Sequence, residues 1–269
     1  MADSYDELID EAYEALEQER FDDALDYGRQ AIDQEPAGPA GHYLAGAALV
    51  EMRHFEEALP YLRTSLQIDP HYPDARFCLA SIQFSTCHFP AARVELDRVL
   101  ADEPNMADAH YWLGKCLERD GDLEAADAAF RRAAELDGDR FRLPARMPRE
   151  EFDRVVEQAI ARLPDFFRRY LDSLQTVVDD IPQLSLLLEF DPPLDPEVLG
   201  LFVGTPLVER SLLDVNPAGP DRIHLFRRNL ERFADSRESL KKEIRITLLH
   251  ELGHAMGLDD EGLARYGYE

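Results

Sequence analysis

The strongest constraint on the fold is a repeat in the first half of the chain, with a period of about 34 residues. A helix-breaking residue recurs at that interval, at Pro36, Pro70, Pro104 and Gly138. Small residues recur at two other places in each repeat: Ala12, Gly46, Ala80 and Gly114 at one, and Ala24, Ala58, Ala92 and Ala126 at the other. Small residues at fixed places indicate two antiparallel helices in close contact, and the breaker ends the second helix of each pair.

This pattern resembles the tetratricopeptide repeat. Four repeats are predicted, at Tyr5–Pro36, Pro39–Pro70, Pro73–Pro104 and Ala107–Gly138. The resemblance implies a right-handed α-solenoid, because each helix pair buries one face against its neighbours. The first helix of each repeat is expected to line a concave groove.

Equivalent positions on the first helices of repeats two to four hold Tyr43, Phe77 and Tyr111. These rings form either a track that binds a peptide or ordinary packing between repeats, and the sequence leaves both interpretations open. Lys115 is the only basic residue among the expected groove positions, which otherwise hold Asp6, Tyr13, Ala40, Ala47, Asp74, Ser81 and Asp108. The groove is therefore predicted to bind a basic or apolar segment of a protein partner.

The repeat loses its phase between residues 137 and 148, where breakers gather, so we predict two domains, 1–145 and 146–269. The second domain is predicted to mix helices and strands. The predicted helices begin at Pro148, span Asp165–Leu171 and span Ser236–Met256; the predicted strands are Leu174–Ile181, Leu199–Val203 and Arg222–Phe226. The expected fold is mainly α: an N-terminal solenoid followed by a small α+β domain.

The last predicted helix carries an H-E-x-x-H motif formed by His250, Glu251 and His254. Residues four apart share one face of a helix, so the two imidazoles can bind one metal ion. Zinc is the expected metal, and Glu251 is the expected general base. Because the end of this helix is so apolar, we expect it to be buried together with both histidines.

A third metal ligand is expected beyond Gly257, because glycine can turn the chain back toward the metal. Asp259, Asp260 and Glu261 are the candidates. Asp260 ranks first, since it lies six residues after His254, the offset of the third ligand in metzincins. Asp259 is the reserve.

From about Pro148 to the end, the chain resembles the small bacterial zincin-like metallopeptidases. The resemblance implies zinc bound by His250, His254 and Asp260, with Glu251 as base. It also implies that an extended substrate pairs with the strand nearest the metal, here Ile223–Phe226. No methionine follows Asp260, so the chain lacks the Met-turn of classical metzincins.

The chain has 55 acidic and 29 basic residues and a formal charge of −26. Such a charge repels the phosphates of nucleic acids and anionic lipids, so neither is an expected partner. The three cysteines lack ligand spacing and are expected to be free thiols in a reducing cytoplasm. No apolar run reaches the length of a membrane span.

The sequence predicts a zinc-dependent peptidase whose repeats recruit its protein substrate. The alternative is an adaptor: the repeats carry the function, and the zincin-like domain is inactive or holds its metal structurally. A hydrolase of small amides shares the same site chemistry and stays open as a third hypothesis.

Overall fold

A computed structural model describes residues 4–171, 174–205 and 221–258. The chain forms two compact units, which divide between Phe141 and Arg142. The first unit is helical, and the second combines helices with a three-stranded sheet. The predicted fold class is therefore confirmed. No helix in the described ranges is both long enough and apolar enough to cross a bilayer.

The first unit contains four helix pairs whose members begin at the interval that the repeat predicts. The first helices of the pairs are α1 (Tyr5–Glu17), α3 (Pro39–Glu51), α5 (Pro73–Ser85) and α7 (Ala107–Asp120). The second helices are α2 (Phe21–Gln34), α4 (Phe55–Ile68), α6 (Phe89–Asp102) and α8 (Leu123–Leu136). The predicted prolines lie two residues beyond the ends of α2, α4 and α6.

The small residues of the repeat lie where the two helices of a pair touch. A Cβ on Gly46 would lie 2.7 Å from Cδ2 of Leu62, and a Cβ on Gly114 would lie 2.6 Å from Cε1 of Phe130. The alanines at the other small position, Ala24, Ala58, Ala92 and Ala126, are completely buried. A larger side chain at these places would force the helices apart.

The second unit begins with α9 (Arg149–Ala161) and α10 (Asp165–Leu171). Strand β1 (Gln175–Asp179), the short helix α11 (Leu184–Leu187) and strand β2 (Gly200–Val203) follow. Strand β3 (Arg222–Phe226) leads directly into α12 (Arg227–Phe233), and α13 (Arg237–Met256) is the last described helix. Sequence reasoning predicted the three strands, but it missed α11 and α12.

The sheet has the order β1-β3-β2, with β3 parallel to β1 and antiparallel to β2. The expectation that Ile223–Phe226 offers a free edge to a substrate is therefore wrong. Both sides of β3 are already paired, so its main chain has no free row of donors and acceptors for a third strand. In the described part of the chain, the edges of the sheet are β1 and β2.

Helix α13 packs on one face of the sheet through its apolar side. Leu240, Ile244, Leu248, Leu252 and Ala255 are fully buried, and they share a core with Ile223 and Leu225 of β3. Residues 223 and 225 point to the same face because strand side chains alternate. His224 points to the opposite face, where its Nδ1 lies 2.8 Å from Oδ2 of Asp179.

Helix α12 is buried although it is highly charged. Its Glu231 side chain is fully buried and accepts hydrogen bonds from the Met147 amide at 3.0 Å and from the Arg146 and Arg228 guanidinium groups at 3.0 Å each. Arg227 also contacts Glu231, at 3.3 Å. The carboxylate therefore joins α12 to the segment that precedes α9, and the surrounding arginines compensate its buried charge.

Candidate active site

The H-E-x-x-H motif lies in the last two turns of α13, with both histidines on the solvent side. The Nε2 atoms of His250 and His254 are 2.9 Å apart, and their rings meet edge-to-face at 4.4 Å. Both side chains are exposed. The expectation that they are buried is wrong, because the apolar stripe of α13 faces the sheet and the histidines lie beside it.

Glu251 points the other way, toward β2, and is only 8 % exposed. Its Oε2 accepts a hydrogen bond from the main-chain amide of Phe202 at 2.7 Å. Burial raises the pKa of the Glu251 carboxyl, while the Phe202 amide and the nearby His254 act to lower that pKa. The motif therefore pairs two accessible imidazoles with one carboxylate that the protein interior holds in a fixed orientation.

Gly200 allows this close approach of α13 and β2. A Cβ at Gly200 would lie 2.6 Å from Cγ2 of Thr247 and 2.9 Å from Cγ of Glu251. No real side chain fits at those distances, so the strand needs glycine here. Sequence reasoning did not single out this residue, although an isolated glycine at the start of a predicted strand is a signal of close backbone approach.

The chain before β2 is fixed by Asn229 of α12. The side-chain amide of Asn229 donates to the carbonyl of Pro196 at 2.9 Å and to the carbonyl of Val198 at 2.7 Å. The carbonyl of Leu199 then accepts from the Phe226 amide at 2.9 Å. These bonds set the position of β2, and therefore the position of the Phe202 amide that holds Glu251. No motif in the sequence marks Asn229.

Two contacts fix the last turn of α13. The hydroxyl of Tyr170 in α10 donates to the carbonyl of Ala255 at 2.7 Å. Gly257 ends the helix in the left-handed conformation, with φ of 75°, and the Leu258 amide donates to the Gly253 carbonyl at 2.9 Å. This is the turn expected of Gly257, since glycine adopts a positive φ without strain.

The two histidines suit a zinc ion. Tetrahedral zinc with Zn–N bonds of 2.0–2.1 Å holds two ligand nitrogens about 3.3 Å apart. The Nε2 atoms lie 2.9 Å apart, within hydrogen-bond distance of each other, so a separation of a few tenths of an ångström would give the spacing that one zinc ion needs. Across the described ranges, no set of three or more His, Cys, Asp or Glu side chains is placed to hold a metal. The predicted third ligand, Asp260, and its reserve, Asp259, lie outside the described residues.

The three predicted groove aromatics are half-buried and belong to separate ring clusters. Tyr43 lies between Tyr13 and Tyr72, at centroid distances of 6.1 and 5.3 Å. Phe77 meets Trp112 at 5.9 Å, while Tyr111 contacts Phe130 at 5.2 Å and Phe141 at 5.0 Å. Each ring therefore takes part in packing while keeping an accessible portion.

The structure also shows where Lys115 and the three cysteines lie. Lys115 is 5 % exposed, and its Nζ lies 3.3 Å from the centroid of the Trp112 ring, so its charge is held by aromatic contact. The three cysteines form no disulfide with one another, as the sequence predicts, and all three are buried.

Comparisons with known proteins agree with both halves of the fold. Residues 171–268 match the family described as zincin-like metallopeptidase, and residues 9–73, 79–140 and 49–105 match tetratricopeptide repeat families. Residues 9–140 thus carry tetratricopeptide repeats, and residues 171–268 form a zincin-like metallopeptidase domain. A comparison with curated proteins found no match.

Several solved repeat structures are similar to the first half of the chain. YrrB, described as a TPR protein with an unusual peptide-binding site, is 22% identical over 48% of this chain, with a TM-score of 0.40; the chain spans 66% of YrrB. TTC0263, a thermophilic TPR protein of Thermus thermophilus, is 19% identical over 51% of this chain and 76% of its own, with a TM-score of 0.45. MamA is 17% identical over 50% of this chain and 79% of its own, with a TM-score of 0.43.

Proposed function

We propose that this chain, built of tetratricopeptide repeats and a zincin-like metallopeptidase domain, is a zinc-dependent peptidase whose repeats recruit its protein substrate. The observation that supports this best is the geometry of α13. Two exposed histidine nitrogens lie 2.9 Å apart, and a buried glutamate on the same two turns is oriented by a main-chain amide. The match of residues 171–268 to the metallopeptidase family supports the same assignment.

His250, His254 and Asp260 would hold the metal on this proposal. Zinc, when bound, would polarise the scissile carbonyl and lower the pKa of a water molecule toward neutrality. The histidines suit this role because they are exposed, so a substrate carbonyl can reach the metal that they hold. With three protein ligands, one position stays open for chemistry.

Glu251 would act as the general base. It would accept the proton of the attacking water and pass that proton to the leaving amine. The hydrogen bond from the Phe202 amide, at 2.7 Å, restricts the carboxylate to one orientation. Such restriction would hold the base in one orientation through both proton transfers.

The repeats would supply recruitment rather than chemistry. Tyr43, Phe77 and Tyr111 lie one per repeat on the first helices of repeats two to four, and on this proposal they would contact an extended peptide segment. Binding of a second segment of the substrate raises the local concentration of the scissile bond. We place this activity in the cytoplasm, because three buried cysteines that form no disulfide suit a reducing compartment.

The test measures zinc content and peptide hydrolysis on the same purified samples. The wild type is expected to contain about one zinc per chain and to cleave a quenched-fluorescent peptide library. Glu251→Gln is expected to keep the zinc and to lose hydrolysis by about 10²–10⁴-fold. His250→Ala and Asp260→Ala are expected to lose the metal. Glu243→Gln, which makes the same change two turns earlier on α13, is the matched control and is expected to behave like the wild type.

Each alternative outcome has a definite meaning. If the wild type binds no zinc after purification with zinc present, the peptidase assignment fails and the repeats remain as the functional part. If zinc is bound but neither the library nor a protein substrate is cleaved, the adaptor with a structural metal is supported instead. Loss of zinc in Glu251→Gln would make Glu251 a ligand and refute its role as base.

A further inference from the structure

One part of the repeat surface combines three tyrosines with a carboxylate, and we call it the Tyr–Asp cluster: Tyr13, Tyr43, Tyr72 and Asp74. The hydroxyl oxygens of Tyr13 and Tyr72 are 3.3 Å apart. The Tyr43 ring packs against both, with its centroid 6.1 Å from that of Tyr13 and 5.3 Å from that of Tyr72. The cluster draws on the first helices of repeats one, two and three, so it spans successive repeats.

Asp74 lies in the first turn of α5 and is half-buried, close enough to Tyr13, Tyr43 and Tyr72 for its charge to act on all three hydroxyl groups. Burial raises the pKa of its carboxyl, and the negative charges of Asp108 and Glu103 add to that rise. None of the residues that the structure describes forms an ion pair with it. A partly buried carboxylate without a cation is unfavourable, and a positive side chain from a partner would remove that cost.

The next repeat shows how this groove position accommodates a cation. Asp108, which takes the place of Asp74 one repeat later, accepts two hydrogen bonds from the guanidinium of Arg140, at 2.9 and 3.1 Å. Arg140 also lies over the ring of Phe141 at 5.0 Å, and Phe141 packs 5.0 Å from Tyr111. An aspartate and an aromatic ring at this position therefore bind a basic residue when the chain itself supplies one.

We propose that the Tyr–Asp cluster binds a lysine or arginine side chain of the protein segment that the repeats recruit. The carboxylate of Asp74 would form a charge-assisted hydrogen bond with the cation, and the tyrosine rings would contact its aliphatic stem and its charge. The excess of acidic residues, 55 against 29 basic ones, attracts such a segment over a longer range. The inference rests on the recruitment role in the proposed function and gives the partner a chemical class, a basic segment.

The test is an array of immobilised dodecamer peptides in which each position is fixed in turn as Lys, Arg, norleucine or Glu. The probe is the full chain carrying Glu251→Gln, so that hydrolysis does not consume the peptides. Lys or Arg is expected to be enriched at one position or more. In solution, replacing that Lys or Arg of the best peptide with norleucine should weaken binding about tenfold or more.

Variants of the chain test whether the cluster is the site. Asp74→Asn keeps the size of the side chain and should weaken the best peptide about tenfold, and Tyr13→Leu should weaken it as well. Asp97→Asn is the matched control, since Asp97 is an exposed aspartate on α6 of the same repeat, and binding should be unchanged.

Binding without Lys or Arg preference, or unchanged affinity in Asp74→Asn, would overturn the proposal, as would the absence of any binding peptide. The measurement is binding alone. A chain that lacks zinc or peptidase activity can therefore still pass this test, and an active peptidase can fail it.

Discussion

Gly200→Ala tests whether the close contact between α13 and β2 holds the site together. The new Cβ would lie 2.6 Å from Cγ2 of Thr247, 2.9 Å from Cγ of Glu251 and 3.1 Å from the carbonyl oxygen of His224. Non-bonded carbons prefer about 3.5–4.0 Å, so the helix and the strand must separate by about 1 Å. Overpacking of this kind costs about 1–3 kcal/mol of stability.

The same displacement acts on the hydrogen bond from the Phe202 amide to Glu251. That bond measures 2.7 Å, and a further 1 Å would break it. A base displaced by about 1 Å lowers turnover about 10²-fold. Hydrogen exchange followed by mass spectrometry on a peptide covering β2 measures the bond directly, because the Phe202 amide should lose its protection.

Thr247→Ser provides the control, since serine lacks the Cγ2 atom that meets the new methyl group. Alone, Thr247→Ser should change protection little; combined with Gly200→Ala, it should restore part of the lost protection and stability. The rescue is partial because the contact with Glu251 remains. The reasoning would be refuted if the Phe202 amide kept its wild-type protection in Gly200→Ala. It would also be refuted if the effects of the two changes were simply additive.

Three further changes test other contacts. Tyr170→Phe leaves the Ala255 carbonyl without its 2.7 Å hydrogen bond and loosens the last turn of α13, so zinc affinity should fall about tenfold in a competition with a chelator. Glu231→Gln leaves three arginines without their buried counter-charge and should cost about 3–5 kcal/mol in urea unfolding followed by circular dichroism. In the same urea titration, the fluorescence of the single tryptophan, which lies in the repeat unit, should respond as it does in the wild type. Asp74→Asn should raise the melting temperature at pH 7, because the folded state raises the pKa of Asp74 and its ionised form costs stability. That advantage should disappear as pH falls through the raised pKa toward the unfolded value, and an advantage independent of pH would contradict this account.

The repeat half could be predicted almost completely from the sequence. The fixed period sets where every helix begins, and the small residues at Gly46 and Gly114 mark the close contacts within pairs. Local sequence is sufficient here because each repeat packs mainly on its neighbours. The roles of Tyr43, Phe77 and Tyr111 could not be separated in the same way, since a half-buried ring can both pack and bind.

The zincin-like half was less predictable because its organisation depends on contacts between distant segments. Helix α12 reads as a charged surface segment, yet Glu231 is fully buried within an arginine cluster whose members are 3 to 85 residues away in sequence. The central position of β3 follows from strand order, which alternation of side chains does not encode. The partner of Glu251 is a main-chain amide, and a main-chain donor has no sequence signature.

On the proposed function, the two faces of the motif explain how one helix can carry metal ligands and also form part of a core. On the proposed function, metal ligands must be reachable by a substrate, and His250 and His254 do lie on the solvent side, where imidazole is well solvated. The proposed base must be oriented, and Glu251 lies against β2. There the Phe202 amide donates to its carboxylate, and Gly200 has no side chain to displace it. Replacing Gly200 should therefore disturb the base and leave the ligands, whereas loosening Tyr170 should disturb the ligands and leave the base. Zinc content and turnover should therefore respond separately to these two changes. If the motif acted as a single unit, both quantities would change together.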